Sequence, residues 1–136
     1  MGLKFPSDAW IKELSHQLNE SEAYEKSAKD WEGDFVFIVE PDQAYDNTAY
    51  LFLGLYHGKS PDAAMVTSED ERETEFTLHA PFSVWRRVIE GELDPIQGMM
   101  TKKMKVQGNM MKIMRYPKAA KEIVSCCALV PTDFGD

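Results

Sequence analysis

The order of patterns along the chain predicts an α+β fold. Apolar residues at helical spacing fill the first thirty positions and return after residue 80, and the stretch between them holds four short apolar or alternating runs of strand length. Connections of a few residues, rich in Gly, Pro, Asn, Asp and Ser, join those runs and predict neighbouring antiparallel strands. A length of 136 residues suits one domain able to bury a real core.

Ser7 is placed to cap a first helix in which Trp10, Ile11, Leu14 and Leu18 recur at three-to-four spacing, with Asn19 at its end. A second, polar helix is expected from Ser21 to Trp31, with Ala23, Tyr24, Ala28 and Trp31 as its buried side and Gly33 as its stop. DFVFIVE (34–40), rich in β-branched and aromatic residues, reads as a strand. TAYLFLGLYHG (48–58) reads as a longer one, with Leu51, Leu53 and Leu55 on one face and Tyr50, Phe52 and Tyr56 on the other. Being apolar on both faces, it is expected at the centre of the sheet, covered on both sides. GKSPD turns into AAMVTS, and EDER turns into TEFTLH (74–79) with Phe76 and Leu78 inward, completing an expected antiparallel meander.

Pro81 is expected at the first position of a helix with the stripe Phe82, Trp85, Val88 and Ile89, closed by Gly91. Asp94 caps a short helix from Pro95 to Met100. KKMKVQ (102–107) alternates, Met104 and Val106 against Lys103, Lys105 and Gln107, as a half-exposed fifth strand does. Gly108 turns the chain. Asn109 caps a helix with Met110, Met111, Ile113 and Met114, interrupted near Pro117 and resumed with Ala120, Ile123, Val124 and Cys127. The tail PTDFGD is expected to fray.

Composition narrows the function classes. The hydrophobic fraction of 43% and charged fraction of 28% are ordinary for a globular chain, and no apolar run nears the roughly 20 residues of a membrane span. MGLKFPSDAW lacks the basic and apolar regions of a secretory signal, so a soluble, cytoplasmic protein is expected. Cys126 and Cys127 are adjacent, a poor geometry for a disulfide. A net charge of −8 argues against a general nucleic-acid binder. The charge is uneven, however. Residues 95–121 carry seven basic residues (Lys102, Lys103, Lys105, Lys112, Arg115, Lys118, Lys121) and no acidic one, leaving eight basic against 23 acidic elsewhere. Such a block suits an anionic head group, a membrane surface or an acidic partner, and it equally suits a solvated face.

Catalytic chemistry finds little support. His16, His57 and His79 fall on separate elements, and no metal-ligand spacing, phosphate loop or nucleophile motif is present. No metal, cofactor or enzymatic activity is expected. The unexplained feature is GMMTKKMKVQGNMMKIM (98–114), which holds six of the eight methionines. Methionine fills irregular core space and also adapts to ligands of varying shape, so the cluster reads either as packing or as the lining of a pocket. In the second reading Trp85, Ile89, Met99, Met100, Met104, Met110, Met111 and Met114 converge on one cavity.

GELDPIQGMMTKKMKVQGNMMKIM (91–114) resembles the sterol carrier protein 2 family of lipid-binding domains. Gly91, Asp94 and Pro95 match its Gly, spacer and Asp-Pro. Met99 and Met100 fill its apolar helix, and Lys103, Lys105, Val106, Gly108 and Met110 match its basic strand and turn. Upstream, FTLHAPFSVWRRVIEG is similar to the strand and amphipathic helix that precede that Gly, so the resemblance spans roughly residues 30–115. It departs at Gly98, where the family usually has Ala, at Lys102, at Ala80-Pro81 and at Lys112.

The resemblance implies a five-stranded, mainly antiparallel sheet covered by helices, with a hydrophobic tunnel between the layers. A helical extension over about 1–30 and a C-terminal helix over about 117–130 would flank the family-like core. It also implies binding and transfer of sterols, fatty acyl chains or similar lipids without catalysis, in a tunnel lined by Phe82, Trp85, Ile89, Met99, Met100, Met104, Met110, Met111 and Met114. Transient contact with an anionic membrane and a homodimer are the partner expectations. The alternative is a non-catalytic interaction or dimerisation module, its cavity filled by its own side chains, accessory to a lipid-metabolising enzyme.

Overall fold

The computed structural model describes residues 2–135. Strand β1 (Leu3–Lys4) leads into α1 (Asp8–Asn19), where Ser7 Oγ accepts the Trp10 N–H at 3.1 Å and Trp10, Ile11, Leu14 and Leu18 are buried, as their spacing predicts. Asn19 also clamps a distant turn: its side-chain amide accepts from the Ser60 N–H at 2.7 Å and donates to the Ser60 carbonyl at 2.9 Å. Helix α2 (Glu22–Ser27) is shorter than expected. The chain leaves the helical path after the Ala28 N–H closes on the Tyr24 carbonyl, so Trp31 is buried from a loop and Ala23 is exposed.

Strands β2 (Phe35–Glu40), β3 (Ala49–Leu53) and β4 (Ala63–Val66) form the first three strands of the expected antiparallel meander, which the fourth does not continue. Strand β3 ends at Leu53; the Gly54 N–H still reaches the Asp62 carbonyl in register with β4, but the Leu55 N–H turns to Asp34 Oδ1, and Tyr56 follows on an exposed turn. The central strand is β2, not β3, because the meander ends at β4. Strand β5 (Phe76–Pro81) returns to pair parallel with β2, from Phe35↔Phe76 to Glu40↔Pro81, giving the order β4-β3-β2-β5-β6. Residues 67–75 reach at most roughly 30 Å when extended, enough to cross two strands. They run over the outer face, where the Arg72 guanidinium lies 4.5 Å from the Phe52 ring centroid and Glu69 approaches His79. That strap is what buries Phe52 beside Val36 and Val66.

Strand β6 (Lys105–Gln107) closes the sheet antiparallel to β5 and is shorter than the predicted alternation. Gly108 follows at φ 117°, and a side chain there would meet Phe76 Cδ1 at 2.7 Å. Helices α3 (Phe82–Ile89), α4 (Pro95–Met100), α5 (Met110–Met114) and α6 (Pro117–Leu129) complete the layer that, with α1, covers the inner face. Asp94 and Asn109 cap α4 and α5 as predicted, accepting from the Ile96 and Met111 N–H groups. The tail is a correction. Strand β7 (Thr132–Asp133) pairs parallel with β1, and the Phe134 ring sits 5.9 Å from that of Phe5; only Asp136 of the tail lies outside the described residues.

Pro81 ends β5 and is the cap of α3 rather than its first residue, and it offers no side-chain hydrogen bond. The cap comes from a loop instead: Asp42 Oδ2 accepts the Ser83 N–H at 2.8 Å, while Oδ1 accepts from Ala44. Partial burial pushes the Asp42 carboxyl up, but the hydrogen bonds from Ser83, Ala44 and Tyr45 outweigh it and hold the group below the usual carboxylate range. Replacing Asp42 by Ala removes this cap and should lower unfolding free energy by about 1 kcal/mol in urea titrations. Because the folded group is the stronger acid, the difference from wild type is full above the ordinary carboxylate range and fades as pH falls through the depressed value.

Candidate functional site

The inner row of the sheet is an aromatic floor. Phe35 stacks on Phe76 at 5.0 Å and on Phe37 at 5.4 Å, and Phe37 meets the Trp85 ring edge-on at 5.3 Å. Period-two alternation puts Phe35, Phe37, Leu51 and Leu78 on this face, and helical phase points Trp85, Val88 and Ile89 of α3 down at it. Between the floor and the helices lies a cavity of about 90 Å³. The short helices complete its wall with Met99 from α4, Met104 from the turn before β6 and Ile113 from α5. Ala120, Ile123, Val124 and Cys127 of α6 close it opposite, and Phe5, Trp10 and Leu14 close one end.

Every lining side chain is hydrocarbon, thioether, thiol or indole, and both indole N–H groups are satisfied elsewhere. Trp85 Nε1 donates to the Ile38 carbonyl and Trp10 Nε1 to Thr132 Oγ1, each at 2.9 Å. Apart from the weakly bonding sulfurs of Cys127, Met99 and Met104, the wall therefore offers no hydrogen-bonding side chain to an occupant. Ile89, Pro95 and Val124 also line a second, outer cleft of about 660 Å³, whose remaining wall includes Glu90, Asp94, Lys121 and Ser125. A mainly apolar cleft that carries four polar or charged side chains thus shares three wall residues with the fully apolar cavity.

Of the predicted lining, the structure brings Trp85, Ile89, Met99 and Met104 together at the cavity. It does not bring in the other five. Phe82 is buried at the far end of α3 among Phe5, Tyr45 and Phe134. Helical phase turns Met99 inward and leaves Met100 54% exposed; on α5 it turns Ile113 inward, leaving Met110 and Met114 half-buried and Met111 62% exposed. Sequence reasoning missed Phe5, Trp10 and Leu14, although the helical spacing of Trp10 and Leu14 marked those two as core. It recognised Phe35, Phe37, Leu51, Leu78, Ile123 and Val124 as apolar positions of their elements without bringing them to the site.

The three histidines lie apart from the cavity. His57 Nε2 sits 2.6 Å from Glu32 Oε2 on an exposed turn, His79 lies between Glu40 and Glu69 on the outer face, and His16 is exposed on α1. Among the described residues no group of three or more His, Cys, Asp or Glu could hold a metal ion. In the basic stretch, Lys112 is structural: its ammonium bonds to Glu75 and to the Glu32 carbonyl and lies over the Trp31 ring. Lys102, Lys103, Lys105, Arg115, Lys118 and Lys121 are exposed.

A family model described as the SCP-2 sterol transfer family matches residues 11–121. No curated protein sequence matches the chain. Among solved structures, the chain is similar to a crystal structure of sterol carrier protein 2, with 33% identity over 91% of this chain and 97% of that one and a TM-score of 0.82. A Thermus thermophilus protein described as possibly a sterol carrier protein is 32% identical over 97% and 93% of the two chains, at a TM-score of 0.86. The sec-alkylsulfatase Pisa1 of Pseudomonas sp. shares only the fold, at 14% identity, 81% of this chain, 15% of its own and a TM-score of 0.56.

The cavity thiol gives this wall a simple check. Burial, reinforced by Cys126 beside it, pushes Cys127 up to about 12, and burial raises Cys126 as well. In native protein at pH 8 neither thiol should react with Ellman's reagent over minutes, and both should react in full in denaturant.

Proposed function

The chain belongs to the SCP-2 sterol transfer family, and from that premise we propose that it binds sterols, fatty acyl chains or similar lipids by their hydrocarbon part and hands them on unchanged. Family and fold support lipid binding in general. The observation that carries the finer reading is the cavity wall, which is apolar throughout and has its indole donors already bonded elsewhere. Such a wall selects for hydrocarbon and contributes nothing to bond making or breaking. Each buried methylene contributes about 0.8 kcal/mol, so ten contribute on the order of 8 kcal/mol before ordering costs.

At about 90 Å³ the cavity is smaller than the roughly 150 Å³ space that accommodates benzene. Cargo therefore enters by displacing wall side chains, for which the unbranched Met99 and Met104 are suited. Its polar end stays in the outer cleft near Lys121 and Ser125, where a carboxylate, phosphate or hydroxyl keeps its water. Delipidated protein titrated with cis-parinaric acid should bind about one equivalent saturably and quench Trp85 and Trp10 by energy transfer. Absence of saturable binding, together with no lipid in extracts of gently purified protein, would falsify the carrier reading and return the chain to a self-filled interaction module.

Exchange needs a membrane, and the same elements supply a surface for one. Between Pro95 and Lys121 inward side chains line the cavity, while outward ones are Met100, Lys102, Lys103, Lys105, Met111, Arg115, Lys118 and Lys121. An anionic bilayer attracts exposed basic residues such as these by about 1 kcal/mol each near its surface. Replacing Lys102, Lys103 and Lys105 together by Gln should slow transfer to phosphatidylserine-containing vesicles by more than about tenfold. Transfer to neutral vesicles and cis-parinaric acid affinity should stay at wild-type values.

A further inference from the structure

Gly98 sits inside α4, where glycine is a poorer helix former than alanine and a packing reason is to be sought. The reason is Met104. A Cβ on residue 98 would lie 3.0 Å from both Cγ and Sδ of Met104, closer than such atoms normally approach, and 3.6 Å from Leu93 Cδ2. The backbone holds this contact in register, since the turn after α4 folds back and the Met104 N–H donates to the Gly98 carbonyl at 3.0 Å. Met104 is 1% exposed and lines the cavity. Its thioether therefore rests in a notch left by the missing side chain of Gly98, from which a Cβ would push it by a few tenths of an ångström, with the helix behind it and the cavity in front.

We infer that the Gly98 notch and the Met104 thioether together set how broad a hydrocarbon the cavity admits, which deepens the lipid-carrier reading and rests on it. With the thioether seated against α4, the cavity starts from its greatest width, from which displacement of the other wall side chains opens it to a fused-ring lipid as well as to a slender acyl chain. A methyl group at position 98 unseats it. Met104 is buried and lines the cavity, so the sulfur pushed away from α4 moves toward that space. The space then narrows, which excludes fused rings first and a single acyl chain last.

The test compares delipidated wild type, Gly98→Ala, Met104→Ala and the double variant, each titrated with dehydroergosterol and with cis-parinaric acid. Gly98→Ala should weaken dehydroergosterol by about tenfold or more, the effect of one methyl-sized group in an apolar pocket. It should leave cis-parinaric acid within about twofold and the Tm at or above wild type, because alanine is the better helix former. Met104→Ala in the Gly98→Ala background should restore dehydroergosterol binding. Equal losses for both probes, a loss tracking a lowered Tm, or no rescue by the double variant overturns the inference.

A second readout works without any lipid. In [methyl-13C]methionine spectra, Gly98→Ala should shift the Met104 signal while those of exposed Met100 and Met111 stay in place. Wild-type protein that binds neither probe sinks the carrier reading itself, and an unmoved Met104 methyl then sinks the notch independently.

Discussion

The parallel pairing of β2 with β5 is the constraint on which the rest of the molecule depends. Six residues of β2 are matched one for one with β5, which puts Phe76 beside Phe35 and Leu78 beside Phe37. Those four side chains build the floor. The same pairing dictates that the chain cross from β4 at one edge to the far side of β2, so residues 67–75 must lie across the outer face. It also ends β5 at Pro81, level with Glu40, from which α3 starts at once with Phe82. Trp85 is thereby carried over Phe37, and its indole N–H reaches back to Ile38 on the same strand β2. Floor, wall and orientation of the principal aromatic side chain follow from one register.

That register also separates polar from apolar chemistry. On β5 and β6 the inner face carries Phe76, Leu78 and Val106, while the outer face carries Thr77, His79, Lys105 and Gln107 beside the strap-covered apolar cluster of Val36, Phe52 and Val66. Charged groups are consequently held outside, where pairs such as Arg72 with Asp62 at 2.8 Å and Lys112 with Glu75 at 2.9 Å stay in contact with water and each adds little to stability. The cavity gains most of its character from this exclusion. Its wall consequently carries no charged side chain, and on the proposed carrier reading an occupant would be sorted mainly by width and length.

Local signals in the sequence were read correctly where the physics was local. The caps at Ser7, Asp94 and Asn109, the helical stripe from Phe82 to Ile89 and the antiparallel pairing of β2 and β3 each depend on a few neighbouring residues, and each stands as expected. Long-range consequences were less legible. A short connection such as residues 67–75 fits either a hairpin or a crossover, and only the competition for a place beside β2 decides between them. The tail read as fraying because its partner, Leu3–Lys4, lies at the opposite end of the chain. Likewise Trp10 and Leu14 could be recognised as core, but not as neighbours of α6 at one cavity.

The methionine stretch shows why composition located the region while misplacing residues within it. Met99 and Met104 face the cavity, whereas Met100 and Met111 face outward beside lysines. In helices of six and five residues only one turn can face the core, so adjacent methionines necessarily point in different directions. The stretch is best understood as two surfaces of one thin wall. On the proposed carrier reading, its inner surface needs side chains that yield to varied hydrocarbon, and its outer surface needs charge to keep the wall hydrated between encounters. Interleaving methionine with lysine supplies both along a single short run of chain, which neither a uniformly apolar nor a uniformly basic run could do.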